Sequence, residues 1–262
     1  YTEDELLALG KKEAVGVYRR ENPDQTITED QVLDHYSREE VISYGKQVAW
    51  NQLWRNFCVS DTFEPGSPSK ILTVAAGLEE GILKGNEYFD CGGYLHVGDW
   101  DIKCTAYRRG GHGSLSLTES IMQSCNVAMM RIGAMMGRDI FTKYQTIFGM
   151  GQKTGVDLPG EADAAGLVYS ADKMGPTELA TNAFGQNYNC TMIQMAAALC
   201  SVINGGSYYE PHVVRQILNE QGSVVERKDP VLVRETVSQS TSDFLKEAMF
   251  QTVENGTGGA AR

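Results

Sequence analysis

The spacing of hydrophobic positions divides the chain into a polar first part and a more apolar remainder. Residues 1–56 are polar and helical in pattern, and three capping boxes begin there at Thr2, Thr28 and Ser37. In a capping box, a Ser or Thr side chain and a Glu or Gln three residues later satisfy the free amides of a helix start. The pattern therefore predicts a polar helical segment over residues 1–56 and a second domain over residues 57–262.

A run of small and apolar residues at positions 71–78 follows a turn that contains Pro65, Gly66 and Pro68. Proline is tolerated in the first turn of a helix, where its missing N–H costs nothing. The run therefore predicts a buried helix that begins directly after the turn. Further helices are predicted over residues 127–136, with Asn126 as N-cap and Gly137 as stop, and over residues 191–204 and 241–255.

Weakly alternating segments with glycine-containing turns predict a small amount of β structure. Residues 88–104 favour a short two-stranded ribbon, and residues 213–226 favour a hairpin. The chain as given is therefore expected to be mainly α, a helical lobe with small β ribbons.

Composition narrows the class of protein. The 262 residues are 42% hydrophobic with a net charge of -11, which is typical of a globular protein and argues against nucleic-acid binding. No apolar run reaches the length of about 18 residues that a membrane span needs, and no signal-peptide pattern is present. A start at Tyr1 without methionine suggests a processed or cut chain.

Six cysteines occur without any Cys-x-x-Cys pair, namely Cys58, Cys91, Cys104, Cys125, Cys190 and Cys200. Zinc sites in sequences usually show such pairs, so no metal site is predicted, and no cofactor either. His112, with glycine on both sides, is expected to be a structural loop residue. Most of the thiols are expected to lie in the core.

Serine chemistry is indicated by the pattern Ser-x-x-Lys, because residues three apart share a helix face and a buried, neutral lysine can take a serine proton. The pattern occurs three times, beginning at Ser43, Ser67 and Ser170. Only the pair of Ser67 and Lys70 leads into an apolar helix that could bury the lysine. We therefore take this pair as the candidate nucleophile and base.

A second candidate element is Ser124-Cys125-Asn126, the single Ser-x-Asn triplet of the sequence. A hydroxyl at Ser124 could pass a proton between Lys70 and a leaving group, and Asn126 offers a donor and an acceptor to a substrate amide. The alternative is that Asn126 only caps the next helix.

Taken together, these motifs resemble the serine penicillin-binding proteins over about residues 50–262. The similar segments are 60–70, 110–113, 123–126, 154–161, 183–186, 194–197 and 204–206. The resemblance is greatest to the class B, monofunctional transpeptidases of cell division and sporulation in Gram-positive spore formers.

The resemblance implies an α+β fold, in which a helical lobe packs on a central antiparallel sheet, and a peptidoglycan D,D-transpeptidase reaction. Ser67 would be the nucleophile that forms the acyl-enzyme, Lys70 its base, Ser124 the relay and Asn126 a substrate contact. The implied partners are peptidoglycan stem peptides, β-lactam antibiotics and a membrane glycan polymerase. The implied location is the extracytoplasmic face of the cell membrane, with an N-terminal anchor that this chain lacks.

The sequence departs from the family pattern at its third motif, Lys-Thr-Gly. Lys153-Thr154-Gly155 spells this motif, but it lies too close to Ser124 and inside the loop of residues 154–161. The motif is instead expected after residue 258. We therefore expect the central sheet to be missing, the domain to be truncated before the third motif, and acylation to be impaired.

Two other functions remain open at this stage, a serine β-lactamase-like hydrolase and a non-catalytic penicillin-sensing or scaffold domain. The state of the cysteines is also open, because thiols oxidise outside the cytoplasm. Cys91 and Cys104 could form a disulfide across the predicted ribbon, a Cys104–Cys125 bond could act as a redox switch, or all thiols could be free.

Overall fold

Helices form most of the regular structure in the computed structural model, which describes residues 1–261. The chain forms two compact units, Tyr1–Asn56 and a second unit that begins at Phe57. The α-helices of the described residues are α1 Glu3–Glu21, α2 Val32–His35, α3 Arg38–Trp54, α4 Phe57–Ser60, α5 Ser69–Glu79, α6 Leu117–Met122, α7 Asn126–Ile147, α8 Pro176–Asn182, α9 Met192–Ile203 and α10 Gln239–Asn255.

The strands are short and pair two by two. They are β1 Thr62–Phe63, β2 Tyr88–Cys91, β3 Tyr94–Val97, β4 Trp100–Lys103, β5 Gly113–Ser116, β6 Cys190–Thr191, β7 Ser207–Tyr209, β8 Gln216–Leu218, β9 Val224–Arg227 and β10 Leu232–Glu235. The antiparallel pairs are β1 with β6, β2 with β5, β3 with β4, β7 with β10 and β8 with β9. Over residues 1–261 the strands therefore form two-stranded ribbons.

The N-terminal unit is built from α1, α2 and α3 around a small core of Ala14, Val32 and Val41. The three predicted capping boxes are all present and are confirmed. Gly45 lies buried in the middle of α3.

Helix α5 is deeply buried in the second unit. Every residue from Ser69 to Gly77 is buried, and the helix packs against α7, α9 and α10. A run of apolar and small side chains can be enclosed on all sides, because it carries few polar groups that need water. The predicted buried helix is therefore confirmed, as are the helices predicted from Thr191 and Thr241 onward.

Helix α7 differs from its prediction at both expected boundaries. Cys125 is the N-cap, and its Sγ accepts a hydrogen bond from the amide of Ala128 at 3.5 Å. Asn126 is therefore not the cap, because its side-chain oxygen is bound elsewhere. Gly137 has φ 71° and ψ 167°, so it kinks the helix as expected of a stop, but the helix resumes and continues to Ile147.

The ribbon predicted over residues 88–104 is only partly correct. The hairpin is formed by β3 and β4, whereas β2 pairs with β5, with Cys91 opposite Gly113. No local pattern in the sequence indicates this pairing, which joins strands more than twenty residues apart. It brings the glycine-rich segment around His112 next to Cys91.

The predicted hairpin near residues 213–226 is confirmed as β8 and β9, whose residues are all exposed. Strands β7 and β10, which precede and follow this hairpin in the chain, pair with each other. Among residues 1–261, no helix combines the length and the apolar character needed to span a lipid bilayer.

Candidate active site

Ser67 lies exposed in the turn before α5, and a close backbone contact fixes this turn. The amide of Gly66 donates to the carbonyl oxygen of Gly185 at 2.7 Å. Gly185 has φ +87°, and a Cβ atom there would lie 1.9 Å from the Gly66 oxygen. Only glycine fits such an approach. Residue 185 therefore sets the position of the backbone that carries Ser67.

Three further contacts fasten the start of α5 to the segment after α8. The hydroxyl of Thr73 donates to the Ala183 oxygen at 2.8 Å, and the hydroxyls of Ser69 and Tyr188 lie 2.6 Å apart. The Glu64 carboxylate accepts from the backbone amide of residue 187 at 2.8 Å. These bonds are mostly buried, where an unmade bond costs about 1–3 kcal/mol, so they hold the turn in one place.

Lys70 extends from the first turn of α5 to the Ser-x-Asn triplet. Its residue is only 2% exposed. The amine Nζ donates to the Ser124 carbonyl oxygen at 2.7 Å, to Ser124 Oγ at 2.8 Å and to Asn126 Oδ1 at 2.7 Å. The three donors of an ammonium group are thus matched by three oxygen acceptors.

Ser124 connects the lysine to the candidate nucleophile. Its hydroxyl donates to Ser67 Oγ at 2.9 Å while accepting from Lys70 Nζ. The sequence predicted direct contact between Ser67 and Lys70. The structure brings Ser67, Lys70, Ser124 and Asn126 together, but it places the Ser124 hydroxyl between the serine and the amine.

The environment of Lys70 favours the neutral amine more than water does. Burial lowers the pKa of Lys70 from 10.5 to about 8, and the nearby thiols Cys104 and Cys125 oppose this shift. Desolvation dominates because an ammonium ion loses hydration that three hydrogen bonds replace only in part. At pH 7 about a tenth of such a lysine is neutral.

The triplet itself is held in an unusual conformation. Ser124 has φ 52°, in the left-handed region that residues with a Cβ atom seldom occupy. Backbone bonds from Ser124 N to Ile121 O and from Cys125 N to Ser120 O, both 2.9 Å, maintain the turn after α6. The Asn126 side chain also donates to the Lys103 oxygen at 3.3 Å. These bonds direct the Ser124 carbonyl and hydroxyl toward Lys70.

The other two Ser-x-x-Lys pairs lie in different surroundings. Lys46 in α3 and Lys173 before α8 are both exposed, so neither has the burial that lowers a lysine pKa. The Lys-Thr-Gly sequence lies in a loop, where the Glu161 carboxylate accepts from the backbone amides of Thr154 and Gly155. None of these three segments contributes a hydrogen bond to the Lys70 amine in the described part of the chain.

A cluster of sulfur and nitrogen atoms lies beneath the triplet, and sequence reasoning missed it. The Sγ atoms of Cys91, Cys104 and Cys125 and a ring nitrogen of His112 all lie within 4.8 Å of one another. All six cysteines are free, so neither suggested disulfide is formed. Cys190 is also buried, as expected for most of the thiols, whereas Cys200 is exposed. The cluster could not be predicted because it depends on the pairing of β2 with β5, which brings His112 next to Cys91.

Comparison with known proteins identifies the family. The family model of the penicillin binding protein transpeptidase domain matches residues 19–262, and the chain therefore belongs to this family. The match begins within α1, earlier than the resemblance near residue 50 that the motifs indicated.

Individual relatives agree with this assignment. Stage V sporulation protein D of Bacillus subtilis is 37% identical over 207 residues, which are 78% of this chain and 31% of the relative. Peptidoglycan D,D-transpeptidase MrdA of Acinetobacter baumannii is 28% identical over 216 residues, which are 79% of this chain and 32% of the relative. The chain thus spans about a third of the length of these curated relatives.

A solved structure shows the same fold. The D,D-transpeptidase domain of a peptidoglycan glycosyltransferase from Eggerthella lenta superposes with a TM-score of 0.73 at 22% identity, over 85% of this chain and 57% of that chain. The α+β transpeptidase fold expected from the resemblance is confirmed.

Proposed function

We propose that this chain carries the acylation centre of a peptidoglycan D,D-transpeptidase, with Ser67 as nucleophile, Lys70 as base and Ser124 as proton relay. The observation that carries the proposal is the continuous path from Ser67 Oγ through Ser124 Oγ, at 2.9 Å and 2.8 Å, to a buried amine. Family membership and the name of the relative from Acinetobacter baumannii support the same function.

The hydrogen-bond partners of Lys70 determine how a proton could move. A neutral amine keeps two N–H donors and gains a lone pair. The carbonyl oxygens of Ser124 and Asn126 can only accept, so they retain the two N–H bonds. The Ser124 hydroxyl is the single partner among the three that can reverse and donate. The lone pair must therefore face this hydroxyl, which in turn accepts the Ser67 proton.

Acylation then follows from this arrangement. Ser67 Oγ attacks the carbonyl carbon of the penultimate D-alanine while its proton passes through Ser124 to Lys70. The tetrahedral intermediate collapses as the C–N bond breaks, and the same proton returns through Ser124 to the departing amine of the terminal D-alanine. A second stem-peptide amine attacks the ester, forms the cross-link and restores the Ser67 hydroxyl. Asn126 would contact the amide of the bound peptide.

β-Lactam binding follows from the same chemistry. A penicillin presents a strained amide to the nucleophile, and attack opens the ring to leave an acyl group on Ser67. Because the leaving nitrogen stays attached to the acyl group, it remains in the site and hinders the second attack.

We extend the proposal to the setting of the whole protein. The 37% identity to stage V sporulation protein D supports a cell-wall role connected with sporulation. An extracytoplasmic location, a membrane anchor and a glycan polymerase partner are part of the proposal as the family resemblance implies them. We also propose that the central sheet and third motif are missing from this chain and that acylation is slow. The two-stranded ribbons of residues 1–261 support this.

The decisive experiment is labelling with a fluorescent penicillin at high concentration, followed by peptide mapping of the acylated residue. We expect slow labelling of the chain that maps to Ser67 and is absent in Ser67→Ala. Ser43→Ala is the matched control, because Ser43 belongs to the same Ser-x-x-Lys pattern but its lysine is exposed. This variant should label like the unsubstituted chain.

Three results would contradict the proposal. Label that persists in Ser67→Ala would place the nucleophile elsewhere. Rapid release of the label with turnover of penicillin would favour a β-lactamase-like hydrolase. An unlabelled chain that is nevertheless folded would favour a non-catalytic domain.

A further inference from the structure

Four potential metal ligands converge beneath the Ser-x-Asn triplet from separate elements. Cys91 is the last residue of β2, Cys104 follows β4, His112 precedes β5 and Cys125 is the N-cap of α7. Their spacing in the chain shows no metal-binding motif. Folding alone assembles them.

Two backbone contacts create the cluster. The Cys104 amide donates to the Gly93 oxygen at 2.7 Å, which returns the β3–β4 hairpin to a point two residues from Cys91. Gly111 lies so close to Cys91 that a Cβ atom on it would be 2.0 Å from the Cys91 oxygen. The loop that carries His112 thus lies so close to the end of β2 that residue 111 must be glycine.

The distances within the cluster suit a tetrahedral metal ion. Cys104 Sγ lies 3.9 Å from Cys125 Sγ and 3.6 Å from His112 Nδ1. With Zn–S bonds of about 2.3 Å and Zn–N bonds of about 2.0 Å, a tetrahedral ion separates its sulfur ligands by about 3.8 Å and a sulfur from a nitrogen by about 3.5 Å. All four ligand atoms lie within 4.8 Å of one another, so small side-chain rotations close the remaining gaps.

The burial and chemistry of the ligands also favour a bound metal ion. The cysteines are 2%, 4% and 0% exposed, in the order Cys91, Cys104, Cys125, and His112 is half-buried. Thiolate and imidazole ligands select zinc over magnesium or calcium, which prefer oxygen. Three cysteines and one histidine also form a closed set, as in structural zinc sites, with no position left for a substrate.

We propose that one zinc ion binds to the site formed by Cys91, Cys104, His112 and Cys125. Binding removes the thiol protons to solvent and joins four separate elements through one ion. The site is structural and takes no part in acyl transfer.

The position of the site gives it a role beside the candidate active site. Cys125 lies between Ser124 and Asn126, and Cys104 follows Lys103, whose oxygen accepts from the Asn126 side chain. An ion bound to both cysteines would fix the backbone on either side of the Lys70 acceptors. Metal removal should therefore loosen the triplet while leaving the buried helix α5 in place.

The test is the metal content of the chain, purified without a histidine tag under reducing conditions and dialysed against metal-free buffer. We expect about one zinc ion per chain by plasma mass spectrometry. Cys91→Ser and His112→Gln should each reduce the retained zinc at least tenfold. Cys200→Ser is the matched control, because it removes an exposed cysteine outside the cluster, and it should retain zinc fully.

A second measurement keeps the result independent of variant folding. Exchange of zinc for Co²⁺ in the unsubstituted chain should give the intense visible absorption of tetrahedral cobalt–thiolate coordination. Neither measurement depends on acylation, so failure of the labelling experiment would leave this inference standing.

Three outcomes would overturn the inference. The first is zinc below a tenth of an ion per chain after reconstitution with excess Zn²⁺. The second is equal loss of zinc in Cys200→Ser and Cys91→Ser. The third is a Cys104–Cys125 disulfide found by non-reducing mass spectrometry of the freshly purified protein, because that bond would consume two of the four ligands.

Discussion

The two sides of the candidate site are held in different ways. The side that carries Ser67 and Lys70 belongs to a helix enclosed by the core, and its turn is fixed by the contact with Gly185. The side that carries Ser124 and Asn126 is a bend between two helices, with a strained backbone at Ser124 and a sulfur cluster beneath it.

Packing thus determines the positions of the reacting groups on one side of the site, whereas the proton path depends on the other side. The buried helix determines where the nucleophile and the amine lie, but it does not connect them. The connection is the hydroxyl of Ser124, on the less regular side. Substitutions on the first side should therefore change stability and base strength. Substitutions on the second should change the proton path with smaller effects on stability.

The largest expected effect is that of Lys70→Met, which keeps the apolar length of the side chain but removes the amine. Loss of a general base typically costs 10²–10⁴ in rate, so penicillin labelling of Ser67 should fall by about this factor. Lys173→Met, which alters an exposed lysine of the same pattern, should label normally. Equal labelling of the two variants would remove Lys70 from the mechanism.

Gly185→Ala should have the next largest effect, on the free energy of unfolding. Its Cβ atom would lie 1.9 Å from the Gly66 oxygen at a φ of +87°, so we expect a loss of about 2–4 kcal/mol in urea unfolding. Gly222→Ala is the control with φ +80° and no heavy atom within 4 Å, and it should lose about 1 kcal/mol. Similar losses in both variants would show that the close contact with Gly66 does not restrain the turn.

The pH dependence of acylation should follow the pKa of Lys70, which is lowered to about 8. Only the neutral amine accepts a proton, so the rate should rise about tenfold from pH 6 to pH 7 and level off above pH 9. Stopped labelling reactions across this range would measure it. A rate that is constant from pH 6 to pH 9 would contradict a lysine base with this pKa.

The smallest effect concerns the strained backbone of Ser124, at φ 52°. Ser124→Gly and Ser124→Ala both remove the hydroxyl, so both should label slowly to the same degree. The glycine variant should nevertheless be more stable by about 1 kcal/mol, because glycine adopts positive φ without penalty. A more stable alanine variant would show that the backbone is not strained at this position.

Local sequence signals predicted much of the fold, because the relevant physics is local. The capping boxes at Thr2 and Ser37 place a side-chain oxygen next to a free amide three residues away, and each marks a real helix start. The pairing of β2 with β5 was not predictable in this way. It depends on contacts between residues far apart in the chain, which no short pattern reports.

The candidate site was likewise predictable where local signals sufficed and not where it depends on long-range contacts. Spacing and the apolar helix indicated Ser67 and Lys70 in the sequence, and the Ser-x-Asn triplet together with the family resemblance indicated Ser124 and Asn126. The sequence indicated Ser124 as a relay between Lys70 and a leaving group, but not as the link between Ser67 and the amine, since a helical repeat describes only which residues share a face. It missed the sulfur cluster because His112 and Cys91 become neighbours only when β2 and β5 pair.

The exposed β8–β9 hairpin has a practical consequence. Because β7 and β10 pair with each other, the chain enters and leaves the hairpin at neighbouring points. Its tip can therefore be lengthened, shortened or cleaved without opening the core. An inserted epitope or fluorophore near Gly222 offers a way to follow the protein in cells while the surroundings of Ser67 stay unchanged.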